Sequence, residues 1–152
     1  ITSNRVIGRL GNIANLTNLK VLTLSGTRIE GNLTAVCKFT KLVKLELANC
    51  AKIEGSLRDT QRLTNLEEIS LQGSSVRGNL SELEPCKKLS HINLKSCKHI
   101  TGSLQEVGNF PCLHLINIAM TRIRCSQKEQ QALAIAMKKR DVEKAPPDII
   151  MM

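Results

Sequence analysis

Short apolar alternations recur along this chain at a nearly constant spacing. Leu19, Leu22, Leu24 and Ile29 form a frame that returns as Leu42, Leu45, Leu47 and Ile53. It returns again as Leu66, Ile69, Leu71 and Val76, then as Leu89, Ile92, Leu94 and Ile100, and last as Leu113, Ile116, Ile118 and Ile123. Within a frame the period is two, which predicts a short strand. Leu22 and Leu24 fall on one side of it, with Val21, Thr23 and Ser25 on the other. A glycine and a leucine accompany the frame as Gly8/Leu10, Gly31/Leu33, Gly55/Leu57, Gly78/Leu80 and Gly102/Leu104. The glycines predict a bend towards the convex side in which φ is positive.

Between strand and glycine stands one small hydrogen-bonding side chain. These are Asn4, Thr27, Cys50, Ser74, Cys97 and Thr121, with successive members 23 or 24 residues apart. Stacked coils bury loop carbonyls at every tight turn, and donors at these positions are expected to satisfy them as a ladder. The rungs differ in their spacing to the next aliphatic residue. Thr27-Arg28-Ile29 is the short form, whereas Cys50-Ala51-Lys52-Ile53 and Cys97-Lys98-His99-Ile100 carry one more residue. The unit is therefore a pair of coils, since Thr27 to Ser74 and Cys50 to Cys97 each span 47 residues. A fixed period of this kind marks a solenoid, because no single coil can bury its own apolar face.

The frame LxxLxLxx(N/T/S/C)x(x)IxGxL covers roughly residues 4 to 124 and resembles the leucine-rich repeat family. The resemblance implies an α/β solenoid, a right-handed superhelix with a parallel sheet of short strands on its concave face. The Cys-x-x-Ile form is similar to cysteine-containing repeats common in intracellular substrate adaptors. The Ile-x-Gly-x-Leu form is similar to the repeats of plant receptor ectodomains, although no proline follows the glycine segment and no paired cysteines flank the array.

Residues 1–125 are read as the repeat array, about five repeats with the first one partial. Residues 126–143 are read as a C-terminal capping helix and 144–152 as an extended tail. Ser126 and Glu129 have the spacing of a capping box. Ala132, Leu133, Ala136 and Met137 would face the last repeat, and Lys138, Lys139 and Arg140 suit a helix C-terminus. Pro146 and Pro147 then end regular structure, and the apolar run Ile149 to Met152 is expected to pack on this domain or a neighbour. At the other end Ile1 opens in mid-repeat. A longer parent protein or a partner is expected to cover that end, with an irregular cap of residues 1–16 as the alternative.

Composition narrows the chemistry. The chain has 152 residues, no Trp, no Tyr and two Phe, so aliphatic side chains must carry the core. No run approaches the ~20 apolar residues of a helical membrane span. Six cysteines invite a disulfide reading, but coils two repeats apart separate Cys50 from Cys97 by about 9.6 Å, beyond the ~7 Å limit for bridged Cα atoms. Cys37 and Cys86 are likewise two repeats apart, and Cys112 and Cys125 have no partner at matching height. Cys50 and Cys97 are read as buried thiol rungs and Cys86 as small convex-side core, which points to an intracellular, reducing compartment. Asn15, Asn32 and Asn79 begin Asn-x-Ser/Thr sequons; two of them fall on the repeat's own Gly-Asn-Leu segment, so repetition accounts for them. Cys97-x-His99 and Cys112-x-His114 fall short of four converging zinc ligands. No metal or cofactor is expected.

Function is expected on surfaces. Val21, Lys44, Glu68, His91 and Leu115 form one outward column of the concave sheet, and Thr23, Glu46, Ser70, Asn93 and Asn117 the next. Lys95 belongs to a third, with Ser25, Ala48, Gln72 and Ala119. Lys44, Glu46, Glu68, Ser70, His91, Asn93, Lys95 and Asn117 thus make a mixed polar patch. The resemblance implies that this face binds a partner; a merely solvated sheet face is the alternative. Glu68, Ser70 and His91 are the one hydrolase-like cluster, on an open surface that excludes no water, so no enzyme is expected. Arg5, Arg28, Lys52, His99 and Arg122 stand just before the aliphatic residue that comes after each rung and are expected to line up as a basic edge. With a net charge of +9, this edge favours an acidic partner. The expected function is a non-catalytic protein-interaction scaffold, acting through the concave face, the basic edge or the open N-terminal end, and serving as an accessory subunit of a larger assembly. An anion-binding module for nucleic acid or acidic lipid head groups is the alternative, with few aromatic residues for base stacking.

Overall fold

A computed structural model of the chain describes residues 6–129, 131 and 148–150. Each coil contributes one strand to the concave side and one to the opposite side. In chain order the first six are β1 (Ile7–Arg9), β2 (Val21–Thr23), β3 (Arg28–Asn32), β4 (Lys44–Glu46), β5 (Ile53–Glu54) and β6 (Glu68–Ser70). The next six are β7 (Arg77–Asn79), β8 (His91–Asn93), β9 (His99–Ser103), β10 (Leu115–Asn117), β11 (Arg122–Arg124) and β12 (Asp148–Ile150). Short 3-10 turns lead from the second strand of each coil into the convex side, as at Leu33–Val36 and Leu57–Thr60.

The even-numbered strands form one six-stranded parallel sheet, in the order β12-β10-β8-β6-β4-β2. Equivalent residues are direct neighbours in it: Leu22 pairs with Leu45, Leu45 with Ile69, Ile69 with Ile92 and Ile92 with Ile116. Pairing continues past each strand, because Leu24 N–H reaches Glu46 O at 2.8 Å and Gly26 N–H reaches Ala48 O at 2.7 Å. The residue before each rung then turns into the left-handed region, at Gly26, Asn49, Gly73, Ser96 and Met120. The tail is used in the same sheet. Asp148–Ile150 lies parallel to β10 with Ile116 opposite Ile149, in the slot a further coil would occupy.

The odd-numbered strands make a second row that the repeat pattern does not predict. β1-β3-β5 and β7-β9-β11 are two three-stranded parallel sheets, linked by a bridge between Ser56 and Arg77. Their register is offset. Gly8 lies beside Ile29, Gly31 beside Ile53, Gly78 beside Ile100 and Gly102 beside Ile123. Gly8, Gly31 and Gly78 thus face the aliphatic residue two positions before the next coil's own glycine, and Gly102 faces Ile123, two positions before Cys125. A Cβ on Gly8 would stand 3.4 Å from the Ile29 side-chain tip, whereas on Gly31, Gly55, Gly78 and Gly102 it would meet the preceding coil or the glycine's own turn.

Leu33, Leu57, Leu80 and Leu104 are fully buried on the convex side against Leu45, Leu71, Ile92 and Leu94, and both phenylalanines, Phe39 and Phe110, are sealed in the same core. Asn32, Ser56, Asn79 and Ser103 cap the 3-10 turns by accepting from the N–H two residues on. At the C-terminal end Ser126 N–H donates to Glu129 Oε2 at 2.9 Å, and Glu129 N–H donates to Ser126 Oγ at 3.2 Å. Most of the helix expected over 126–143 lies outside the described residues, as do Asn4 and Arg5.

Gly31 and Gly55 share the positive-φ bend, at 133° and 116°, but differ in space. A Cβ on Gly31 meets Leu10 at 3.4 Å, whereas one on Gly55 comes within 2.9 Å of Leu33 N and 2.7 Å of Asn32 Oδ1. Gly31→Ala should cost about 1–3 kcal/mol from backbone strain alone. Gly55→Ala should cost about 1–3 kcal/mol more, from the collision. Urea unfolding of both variants checks this; equal midpoints would show that the close approach does not matter.

Candidate functional site

The concave strands alternate strictly. Leu45, Ile69 and Ile92 point into the core, so Lys44 and Glu46, Glu68 and Ser70, and His91 and Asn93 must point outward. Pairing without offset puts Lys44 beside Glu68 and Glu68 beside His91 in one column, with Glu46, Ser70, Asn93 and Asn117 in the next. Lys44 Nζ sits between two carboxylates, 2.8 Å from Glu68 Oε2 and 3.0 Å from Glu46 Oε1. The bond to Glu68, then that to Glu46, holds its ammonium above the usual lysine range. Glu46, Glu68, Ser70, His91, Asn93 and Leu115 line a shallow depression of about 360 Å³.

Within the patch, some groups are occupied. Asn93 Oδ1 accepts from Lys95 N–H and Asn117 Oδ1 from Ala119 N–H, each at 3.2 Å, so these side chains hold the turn after the strand. Asn93 Nδ2 also donates to Gln72 Oε1 at 3.1 Å. His91 Nδ1 lies 2.9 Å from Ser90 Oγ, and its ring stacks on His114 with centroids 6.2 Å apart. Glu68, Ser70 and His91 therefore do not form a relay: Ser90 rather than Ser70 bonds the imidazole, and Lys44 engages Glu68. Lys95 is exposed and completes the patch at its edge. The repeat pattern alone does not single out Ser90 and His114. Their signal is the position just before each strand, occupied in turn by Lys20, Val43, Glu67, Ser90 and His114.

The rungs lie behind this face and are coupled in twos. Thr27 Oγ1 donates to Leu24 O at 2.6 Å, and Cys50 Sγ donates to the same carbonyl at 3.1 Å. Cys97 Sγ donates to Leu71 O at 3.0 Å, with Ser74 Oγ 3.8 Å from the sulfur. Thr121 Oγ1 donates to Ile118 O at 2.7 Å. A carbonyl has two lone pairs, so one loop can serve the hydroxyl of its own coil and the thiol of the next. The convex side keeps the same two-coil rhythm. Asn caps alternate with Ser caps, and the Ser hydroxyls reach the next coil, Ser56 Oγ to Glu82 Oε2 at 3.0 Å and Ser103 Oγ to Glu129 Oε1 at 3.4 Å. Asn32 and Asn79 of the sequons spend their Oδ1 atoms on the Thr34 and Ser81 N–H groups, whereas Asn15 is exposed.

The basic edge is not the aligned stripe expected. The offset of the second row interleaves it with the residues that precede the glycines. Arg28 lies beside Ile7, His99 beside Arg77 and Arg122 beside Thr101, while Lys52 is ion-paired to Glu30 at 3.5 Å. Arg9 also pairs with Glu30, at 3.4 Å. Cys97 Sγ turns inward to Leu71 O and His99 is exposed on the second row, so the two do not share a metal. No helix among the described residues is long and apolar enough to cross a membrane.

Coils whose parallel strands stack without offset on the concave side, around a leucine core, are matched in solved structures. The fold is that of a leucine-rich repeat solenoid. The ectodomain of the Arabidopsis thaliana receptor kinase GASSHO1/SCHENGEN3, solved in complex with Casparian strip integrity factor 2, is similar over 77% of this chain, at 26% identity and a TM-score of 0.64. The Leptospira interrogans leucine-rich repeat protein LIC12759 is similar over 91%, at 21% identity and a TM-score of 0.66. Internalin C2 of Listeria monocytogenes is similar over 93%, at 17% identity and a TM-score of 0.64. This chain spans 14%, 33% and 55% of those chains respectively. No protein-family model and no curated protein matches the sequence.

Burial in the core sets thiol reactivity. Burial pushes Cys86 up to about 11 and raises Cys97 as well. The raised values mean that the thiolate, the reactive form, is depleted at pH 8. Iodoacetamide at that pH should label exposed Cys112 first, and Cys86 and Cys97 only as fast as the protein unfolds. Peptide mass mapping reads the order; rapid labelling of Cys86 in the folded protein would contradict the buried placement.

Proposed function

We propose that this chain is a non-catalytic protein-interaction scaffold that holds a partner on the concave sheet, around Lys44, Glu46, Glu68, Ser70, His91 and Lys95. The observation that carries this reading is the unbroken register of the sheet. Consecutive coils bring polar side chains into one exposed surface, with Lys44 braced between two carboxylates. Side chains already held in place lose less entropy on binding, which favours recognition. The engagement of His91 by Ser90 and of Glu68 by Lys44 supports a binding role over a hydrolytic one. The GASSHO1/SCHENGEN3 ectodomain, similar in fold, was solved with a bound factor, which supports binding as the use of such a surface.

Lys44→Ala/His91→Ala/Lys95→Ala is the variant that tests the patch. Compared with wild type by affinity capture and quantitative mass spectrometry, it should lose the specifically retained protein. Lys38→Ala, on an exposed convex position, should retain it. Full recovery by the triple variant, with an unchanged circular dichroism spectrum, removes the proposal.

For this scaffold we also infer a reducing compartment. Supporting it, Cys37, Cys50, Cys86, Cys97 and Cys112 are free thiols, three of them buried, and the Cys50 and Cys97 thiols serve as hydrogen-bond donors to Leu24 O and Leu71 O. Alkylation under denaturing conditions without reductant, applied to protein isolated from its source, should modify all five. A bridge at any of them overturns the inference.

A further inference from the structure

The outward face of the second row divides by charge. In its N-terminal half Glu30 lies between Arg9 and Lys52, so opposite charges are interleaved. In its C-terminal half the offset brings Arg77 beside His99 and carries Arg122 past His99 to Thr101. Arg77, His99 and Arg122 are all exposed, and among the described residues none makes an ion pair. With Asn32, Glu54 and Ser75 they line one depression of about 450 Å³.

We propose that this depression binds a phosphate monoester carried on a side chain of a partner protein. The chemistry rests on the donors. Two guanidinium forks from different coils can each grip two oxygens of a phosphate dianion, and an imidazole N–H can take a third. The number of cations suits a single phosphate. A polyanion needs a continuous track of cations, and Glu30 and Glu54 interrupt this face. A lipid bilayer needs apolar side chains beside the cations, whereas among the described residues the exposed large apolar ones are Val6, Ile7, Leu16, Val21, Met120 and Ile150, none of which lines the depression. The site lies on the second row and not on the concave sheet, so it stands whether or not the concave patch binds a protein.

Fluorescence polarisation with a labelled phosphoserine peptide, flanked by glycine and alanine, tests this on the full chain. The phosphorylated peptide should bind and its unphosphorylated form should not. Arg77→Gln and Arg122→Gln should each weaken binding at least about tenfold, since each removes one fork of charge-assisted contacts. Glu54→Gln should strengthen it by removing a nearby negative charge. Arg28→Gln, on the same row outside the depression, should change nothing. Equal affinity for both peptides overturns the proposal, and so does an equal loss with Arg28→Gln, which would mean diffuse attraction. Sedimentation with phosphatidylcholine vesicles containing phosphatidylinositol 4-phosphate, without peptide binding, would replace it with a lipid site.

Discussion

A carbonyl buried at a tight turn must find a donor, and this chain supplies one at coil after coil. Leu24 O receives both the hydroxyl of Thr27 and the thiol of Cys50, and Leu71 O receives the thiol of Cys97. Each of these carbonyls also accepts a backbone N–H of its own coil, from Thr27 at 3.3 Å and from Ser74 at 3.0 Å. With no donor at all it would cost about 1–3 kcal/mol. Because the thiol comes from the next coil, the bond also ties neighbouring coils together at the end of the concave strand. The tie accompanies the flat pairing of Leu22 with Leu45 and of Ile69 with Ile92, and the exposed polar columns depend on that pairing.

The two faces of the solenoid solve the same stacking problem differently. On the concave side, leucine and isoleucine repeat at equivalent positions, so identical shapes stack and no offset is needed. On the second row a glycine alternates with an aliphatic residue, and the pairing fits a glycine of one coil beside the branched residue of the next. That fit moves each coil along by two positions. Its consequence is electrostatic: cations meet carboxylates around Glu30, whereas Arg77 lies beside His99 with no carboxylate ion-paired to it among the described residues.

The two-coil rhythm has a physical reason on both sides. In the ladder the thiols of Cys50 and Cys97 reach the preceding coil's carbonyl, while the hydroxyls of Thr27 and Thr121 bond within their own coil. The coils carrying a thiol are the ones with an extra residue before the aliphatic position. Serine caps can donate to the next coil where asparagine caps use their oxygen locally, so Ser56 and Ser103 make links that Asn32 and Asn79 do not. The sequence shows the alternation of cysteine with hydroxyl residues plainly. It carries the alternation of caps as well, although there the sequons at Asn32 and Asn79 are the more visible pattern.

What the sequence determined by itself is what coils share at equal positions: the concave strands, the inward leucines, the bends at Gly31 and Gly55, and the outward order of Lys44, Glu68 and His91. Tertiary structure alone decided how unlike positions meet. It joined His91 to Ser90 and His114, set Arg77 beside His99, and placed Asp148–Ile150 against β10. The reason is that a repeat specifies which residues are equivalent, while the offset between neighbouring coils is set only when the coils pack against one another. A period read along one chain carries no measure of that offset.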